Sequence, residues 1–289
     1  MTSETTRRPA LSTPALLVPM GILFLLTFVV PQVFVGVRSL RPSAGMGMIG
    51  DGWTMANYGA IFGDWYYLSI LGRTAWLGVL VVAVTLLLGY PVAFSLARSR
   101  SRWRGLVLML VIAPLFTSIV IRALGWMVLL GGNGPVNRVL RALGFAEEPV
   151  QFLYNLTGTV VGTAHALLPF MILILVGVIE KIDRSLEEAA EDLGASRARV
   201  FARVVVPLSM PGIVAGSLLV FSMAVSVFTT PAMLGGRKVT VVAIAIEQQI
   251  RATLNYPLGS ALSMVLLACT IMLALLVQRV GSVRGWSAQ

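Results

Sequence analysis

Few side chains in this 289-residue chain could carry out catalysis. There is a single histidine, His165, and a single cysteine, Cys269, and both stand inside apolar runs. A zinc site needs several His, Cys, Asp or Glu ligands close together, and thiol catalysis needs a base beside the cysteine. The sequence also lacks the G-x-x-x-x-G-K-[ST] loop that cradles the phosphates of ATP. We therefore expect no catalytic residue, no metal site and no cofactor in this chain.

The clearest functional pattern is a short acidic segment at residues 185–196. Ser185 and Glu188 have the spacing of a capping box, which predicts that a helix begins at Ser185. Gly194 predicts a left-handed stop at the other end of this helix. Ser196 is placed to cap a second helix, which we expect to end before Pro207. The apolar residues of the first helix follow the i, i+3, i+4, i+7 spacing and form one stripe: Leu186, Ala189, Ala190 and Leu193.

Two roles fit a short helix of this composition. Helices that lie on a membrane surface carry Lys and Arg on their polar face and bulky apolar residues opposite. This helix instead carries carboxylates and small alanines: Glu187, Glu188, Ala189, Ala190, Glu191 and Asp192. Alanines allow a close approach, and carboxylates can meet basic groups. Docking into a groove of a partner protein is therefore favoured over a surface helix.

The spacing of this segment resembles a known signature. Glu188-Ala189-Ala190, Gly194 and Val204-x-Val206-Pro207 are similar to the EAA motif of permease subunits of binding-protein-dependent ABC importers. The family pattern has Ile and Leu where this chain has Val204 and Val206. The resemblance implies that the acidic helix is a coupling helix that sits in a cleft of a separate ATPase subunit. The residues it assigns to this coupling are Glu188, Ala189, Ala190, Asp192 and Gly194.

Smaller matches extend the resemblance over residues of about 55–280. They are similar to the first permease of spermidine/putrescine importers, and they comprise Asn57-Tyr58, Gly89-Tyr90-Pro91-Val92-Ala93, Trp126, Gly134-Pro135-Val136-Asn137 and Leu234-Gly235-Gly236. The resemblance implies that the solute is spermidine, putrescine or a similar small organic molecule. Relatives of similar appearance move ferric iron, phosphonates or opines, so these solutes remain open.

The elements that must position the acidic helix are membrane helices. Hydrophobic residues make up 57% of the chain and charged residues 12%, whereas soluble domains carry about 25% charged residues. Mean hydropathy is +0.88. A span needs about 20 apolar residues. Six runs are long enough: 13–37, 74–97, 105–130, 156–179, 208–232 and 258–277. We predict an all-α, polytopic membrane bundle of six transmembrane helices, of the type I ABC importer permease kind.

The organisation that follows is one permease domain at residues 13–279, with its core at about 69–279 and a coupling loop at 180–207. Tails at 1–12 and 280–289 flank this domain. The first run exceeds the roughly 7–15 residues of a signal-peptide core, so we interpret it as a retained anchor. Residues 239–246 are apolar but too short to span. They form either a lid-like outer helix or a segment packed against the bundle.

The basic residues set the orientation of the bundle. Arg98, Arg100, Arg102 and Arg104 stand close together between the second and third spans, which predicts that this loop is cytoplasmic. Both termini and the 180–207 loop then lie in the cytoplasm of a bacterial cell, with the spans in its inner membrane. The net charge of +10 has the same origin, because the basic clusters are separated by long apolar runs. Nucleic-acid binding is therefore disfavoured.

The spans supply no energy source of their own. Proton- and sodium-driven carriers usually place carboxylates within the membrane, and these six runs contain no Asp or Glu. A secondary transporter or channel is therefore disfavoured. A membrane enzyme is disfavoured as well, because the chain has only one His and one Cys for metal or thiol catalysis. A structural scaffold would not require the EAA spacing. The partners implied are an ATPase subunit, in two copies, that binds ATP and magnesium, a second permease subunit and a periplasmic solute-binding protein.

Three residues are candidates for the solute pathway or its gate. Arg122 and His165 are the ionisable groups inside the six runs. Arg122 is either a pathway residue or a snorkelling arginine, and these interpretations are equally favoured. His165 is interpreted as a packed, hydrogen-bonded residue more readily than as a proton carrier. Glu247 in the outer loop could meet a cationic solute or the binding protein, although a solvated role is favoured.

Overall fold

The computed structural model describes residues 13–283, and this part of the chain is almost entirely helical. A small antiparallel hairpin, β1 and β2, interrupts the helices near the start. In chain order the elements are α1 Thr13–Phe24, α2 Val30–Ser39, β1 Ser43–Gly45, β2 Met48–Ile49, α3 Ala56–Gly63, α4 Trp65–Arg98, α5 Arg104–Ile112, α6 Ile119–Leu130, α7 Pro135–Ala142, α8 Leu156–Ile179, α9 Ser185–Asp192, α10 Arg197–Val200, α11 Val206–Ser226, α12 Val242–Arg251 and α13 Tyr256–Val283.

Six stretches of the described chain are helical, long and apolar enough to cross a membrane. They are Val18–Ser39, Trp65–Arg98, Ile119–Ala142, Leu156–Ile179, Arg197–Ser226 and Tyr256–Val277. These stretches confirm the all-α membrane bundle with six spans. The third joins α6 to α7, which a turn at residues 131–134 separates. The predicted tail at 1–12 and the end of the tail at 280–289 lie outside the described residues.

The third predicted span, residues 105–130, is wrong as a continuous helix. α5 passes into a 3-10 turn at Ala113–Phe116, and Thr117 and Ser118 are then extended, with ψ of 143° and 135°. Pro114 lies in this turn, and a proline removes a helical hydrogen bond and clashes with the preceding turn. The Thr117 hydroxyl donates to the Pro114 carbonyl at 2.8 Å and closes the first half. The predicted run 105–130 therefore consists of two half-helices, α5 and α6, and the membrane-length stretch Ile119–Ala142 begins only after the break.

The fifth span also differs from its predicted bounds of 208–232. The helix runs from Arg197 to Ser226. The second helix of the acidic segment therefore does not end before Pro207, and that prediction is wrong. A π-helical turn at Phe201–Val205 precedes the proline and widens the helix there, so its missing N–H is accommodated. The span ends early because Val227 is extended, with ψ of 131°.

Small residues let the three central helices approach closely. α4, α8 and α11 form the main core, which includes Leu77, Met171 and Val220, all fully buried. A Cβ added at Gly216 of α11 would lie 2.9 Å from Sδ of Met171 in α8. One added at Gly78 of α4 would lie 2.7 Å from the ring of Phe221 in α11. Glycines at helix crossings are typical of membrane bundles, where close packing replaces the hydrophobic effect.

Two buried hydrogen bonds fix the core helices to their neighbours. The hydroxyls of Tyr90 in α4 and Ser209 in α11 are 2.7 Å apart. The backbone N–H of Val242, at the start of α12, donates to the Thr74 hydroxyl of α4 at 2.9 Å. Val242 and Ala245 are buried in a second cluster with Leu262 of α13. Of the two possibilities for the apolar segment 239–246, packing against the bundle is therefore the correct one.

The first span stands at the edge of the bundle. Its second half, α2, packs along α13, where a Cβ at Gly36 would touch the end of Met264 at 3.8 Å. In the most apolar stretch of this span, 0% of the residues are buried by the rest of the described chain. A π-helical turn at Leu25–Val29 joins α1 to α2 just before Pro31. Residues 13–37 thus form a helix long enough to span, as the anchor interpretation requires.

Candidate coupling site and membrane pathway

The acidic helix α9 ends as its sequence predicts. Gly194 has φ of +84°, a left-handed conformation that L side chains rarely adopt. Its N–H donates to the Glu191 carbonyl at 2.8 Å, and the N–H of Ala195 donates to the Ala190 carbonyl at 3.0 Å. This pair of bonds is a Schellman motif, which satisfies the last carbonyls of the helix. The stop at Gly194 is confirmed.

The start of α9 differs from its prediction. Ser185 makes no side-chain cap, because it already has a helical position within the first turn. Asp183 takes the capping role, and its Oδ1 accepts from the Ser185 N–H at 3.0 Å. This hydrogen bond lowers the pKa of the Asp183 carboxyl below its ordinary value. The predicted capping box of Ser185 and Glu188 is therefore wrong, because the carboxylate of Asp183, two residues before Ser185, is the capping acceptor.

The residues predicted to couple are presented on the surface of this chain. None of the residues of α9 is buried. Leu193 is 89% exposed and Leu186 47% exposed, so the apolar stripe has no cover from its own chain. Glu188, Ala189, Asp192 and Gly194 are exposed and Ala190 is half-buried. A stripe of this kind costs free energy in water unless another surface covers it.

An ion pair ties α9 to the bundle. Arg98, the last residue of α4, places Nη2 at 2.5 Å from Oε1 of Glu187, and the two side chains are only 14% and 19% exposed. Arg98 also donates to the Ile182 carbonyl at 3.2 Å. Arg184 in turn donates a side-chain hydrogen bond to the Arg98 carbonyl at 2.9 Å. α9 is thus held to the end of α4 by three polar links across more than 80 residues of sequence.

A second ion pair lies nearby and is more exposed. Arg104, at the start of α5, pairs with Glu180 at the end of α8. The sequence positions of Arg98 and Arg104 predict the orientation of the bundle but not the partners of these arginines. The signal that could have found them is opposite charge at the ends of spans that meet on the same membrane side. Spacing alone does not reveal such pairs, because the partners are far apart along the chain.

The pathway candidates Arg122 and His165 lie on neighbouring elements. Trp126, one turn after Arg122 on α6, donates its ring N–H to Nδ1 of His165 in α8 at 3.2 Å. The two rings also meet edge to face, with centroids 5.5 Å apart. Nδ1 of His165 is therefore an acceptor, so this nitrogen carries no proton. The arrangement favours the packed, hydrogen-bonded interpretation of His165.

Glu247 is separated from these two residues. It lies on α12 and stands 3.7 Å from Arg251, one turn later on the same helix. Its side chain is 37% exposed. An exposed pair at this spacing contributes little free energy. The structure thus gives Glu247 a partner on its own helix, α12, whereas Arg122 lies on α6 and His165 on α8.

The motifs that carried the smaller resemblances make structural contacts. Asn57 donates to the carbonyls of Ser39 and Arg41 at 2.8 and 2.9 Å. Asn137 exchanges hydrogen bonds with the backbone of Val150, at 2.8 and 3.0 Å. The Leu234 carbonyl accepts from the Tyr154 N–H at 2.7 Å. Among residues 13–283 no three His, Cys, Asp or Glu side chains are grouped to hold a metal ion.

Six membrane-length helices, a span broken into two halves and an uncovered acidic helix tied to a span end define a multi-pass membrane transport subunit. Residues 87–282 match the family described as "Binding-protein-dependent transport system inner membrane component", and the chain belongs to this family. It is a permease subunit of an ABC importer and a multi-pass protein of the inner membrane.

Known proteins resemble most of the chain. It is 38% identical over 224 residues to the spermidine/putrescine transport system permease protein PotB of Haemophilus influenzae, covering 78% of this chain and 77% of that protein. PotB of Salmonella typhimurium is 36% identical over the same shares. Among solved structures, a bacterial alginate ABC transporter in complex with an alginate pentasaccharide-bound periplasmic protein matches with a TM-score of 0.76 at 19% identity, covering 93% of both chains. This last likeness shows the fold alone.

Proposed function

We propose that this chain forms half of the solute pathway of an ATP-driven importer for spermidine, putrescine or a similar small organic solute. The support for the solute comes from the relatives named above, which are spermidine/putrescine permeases. The pathway is completed by a second permease subunit. A periplasmic binding protein delivers the solute, and two copies of an ATPase subunit hydrolyse ATP.

The observation that carries the coupling role is the uncovered stripe of α9. Leu193 and Leu186 are exposed, and the small side chains of Ala189 and Ala190 leave room for a close approach. Glu188 and Asp192 add negative charge beside the stripe. An apolar face with an acidic rim suits a groove lined by apolar and basic side chains. We assign this groove to the ATPase subunit.

The link between α9 and the spans supplies the mechanical route. Closure of the ATPase subunits around ATP would move α9. Because Arg98 joins α9 to the end of α4, the movement passes to the core of the bundle. The core then alternates between inward-open and outward-open arrangements. In this scheme α9, the loop of Arg98 to Arg104 and both chain termini lie in the cytoplasm, in line with the density of arginines there.

The test is reconstitution of the chain with its ATPase, second permease and binding protein in proteoliposomes. Spermidine-loaded binding protein should stimulate ATP hydrolysis and drive uptake. Glu188→Lys and Gly194→Pro should leave insertion of the chain intact, weaken capture of the ATPase subunit and reduce uptake. Glu247→Gln, a carboxylate change away from α9, is the control and should preserve capture. Undiminished capture and uptake in both α9 variants would refute the docking role, and uptake without ATP would refute the importer scheme.

A further inference from the structure

Two of the guanidinium nitrogens of Arg122, Nε and Nη1, lack a partner in the part of the chain that the structure describes. Arg122 lies in the first turn of α6, where its backbone N–H donates to the Ser118 carbonyl at 3.0 Å. Its Nε and Nη1 are shielded from solvent and have no hydrogen-bond partner among residues 13–283. Shielded guanidinium donors are costly when they are unpaired, so a charged group in this position normally has an anion beside it.

The position of Arg122 makes this cost large. α5 and α6 together run antiparallel to α8. The contacts show this, because Arg104 meets Glu180 at the end of α8, whereas the later residue Trp126 meets the earlier residue His165. Arg122 precedes Trp126 by one turn, about 5.4 Å of rise. It is therefore level with residues near Pro169, close to the middle of α8, which runs Leu156–Ile179. An arginine near the bilayer centre is most expensive when unpaired.

The chain itself cannot supply the missing anion in the membrane. The six membrane-length helices contain no Asp or Glu within the described residues. The N-terminal end of α6 carries a positive partial charge, which disfavours a cation in its first turn still further. A second copy of this chain would bring another arginine and no carboxylate. The compensating group must therefore come from a different molecule.

The surface beside Arg122 is open to such a molecule. Ile121 is 66% exposed and Val128 is 70% exposed, so one face of α6 is apolar and uncovered by this chain. Arg122 lies next to that face, at the edge of the buried side that holds Ala123 and Trp126. A helix packed against α6 would bring its side chains to the guanidinium.

We propose that Arg122 pairs with an Asp or Glu in a spanning helix of the second permease subunit. The pair closes the solute pathway near the bilayer middle. This proposal rests on the proposed function, since it requires a polyamine as the solute. The polyamine opens the pair because its ammonium groups bind the carboxylate in place of Arg122. A small monovalent cation competes less well, since a polyamine brings several charges at once.

The experiment uses the complete importer in proteoliposomes. Arg122→Glu should reduce spermidine uptake roughly thirtyfold or more, as loss of one member of a desolvated charge pair does. Arg122→Lys should retain more uptake than Arg122→Gln, because it keeps the charge. Each Asp and Glu in the spanning helices of the second permease is then changed to Arg in the Arg122→Glu background. One such reversal should restore most of the uptake. Arg73→Glu, at an exposed arginine of α4, is the control and should have little effect.

The outcomes separate this proposal from the proposed function. Wild-type importer that fails to move spermidine or putrescine refutes the solute assignment. If the wild type moves spermidine, the pairing is overturned when no reversal in the second permease restores uptake, or when Arg122→Gln transports at the wild-type rate. It is also overturned if the wild type imports an organic anion whose KM rises in Arg122→Gln, since the solute would then be the ligand of Arg122. Capture of the ATPase subunit by every variant shows that the chain is folded.

Discussion

Removal of the Arg98–Glu187 ion pair should uncouple ATP hydrolysis from uptake. This pair joins the end of α4 to the first turn of α9, and its atoms are 2.5 Å apart. Glu187→Ala leaves Arg98 without its carboxylate, while Arg98 keeps its bond to the Ile182 carbonyl. α9 should therefore remain folded and capable of binding the ATPase subunit, but its movement should pass less efficiently to α4.

The size of the effect follows from the burial of the pair. Exposed ion pairs contribute about 0.2–1 kcal/mol, and breaking a fully buried pair costs about 3–5 kcal/mol. With exposures of 14% and 19%, the Arg98–Glu187 pair lies between these limits. We expect a cost of about 2 kcal/mol, which corresponds to about a thirtyfold change in the population of the coupled arrangement. Arg98→Ala should cost more, because it also removes the bond to Ile182.

The assay is the number of solute molecules imported per ATP hydrolysed, measured for both single variants and for the double variant. If the side chains act through each other, the double variant should be less impaired than the sum of the two, by about 1–2 kcal/mol. Glu191→Gln is the matched control on the same helix, because Glu191 and Arg197 are 4.0 Å apart and exposed, at 49% and 96%. Additive effects in the double variant, or an equal loss in the control, would refute the coupling role of this pair.

Three further predictions concern the ends and the packing of the helices. Gly194→Ala should weaken the end of α9 by about 1 kcal/mol, because a left-handed φ of +84° disfavours any side chain, and capture of the ATPase subunit should fall accordingly. Gly162→Val should lower the melting temperature in detergent, since a Cβ there lies 2.6 Å from Leu234, and overpacking costs about 1–3 kcal/mol. The pKa of Asp183 is depressed in the folded chain, so its capping contribution should be complete above pH of about 4 and should disappear as the pH falls below that value. Asp183→Asn should therefore remove this acid-induced loss of ATPase capture, and an unchanged pH profile would contradict the cap.

The acidic helix α9 could be predicted from sequence because its signals are local. The spacing of Leu186 and Leu193 places both on one stripe, and Gly194 fixes the stop, with no knowledge of the rest of the fold. The start was less predictable. Ser185 and Asp183 are both good caps, and the choice between them depends on where the chain leaves α8.

The breaks in the spans were harder to predict because proline has several outcomes in a membrane helix. Pro91 and Pro169 lie inside continuous helices, Pro114 accompanies a complete break, and Pro207 follows a π-helical turn. Local sequence does not separate these cases. The neighbouring helices decide which freed carbonyls are satisfied, and they are known only once the bundle is assembled.

The long-range polar contacts could not be predicted at all from one sequence. Arg98 and Glu187 are separated by a complete loop and two spans, and Tyr90 meets Ser209 across the core. Hydropathy shows that such residues are present but not which of them meet. The same holds for Asn57, where the family resemblance marked a position and the structure assigns it to binding the backbone of Ser39 and Arg41.

The break between α5 and α6 lies close to Arg122, the residue that we propose closes the pathway. The start of α5 is tied to the end of α8, because Arg104 pairs with Glu180. The extended residues Thr117 and Ser118 follow, and their ψ of 143° and 135° break the continuous helix between α5 and α6. Arg122 lies in the first turn beyond the break. In the proposed gate, a movement of the bundle would tilt α6 and carry Arg122 toward or away from the carboxylate of the second permease subunit, while the Arg104–Glu180 pair stays closed. In the proposed mechanism the ion-paired helix ends would receive the force from the ATPase subunit, and the break at Thr117 and Ser118 would let α6 respond to it.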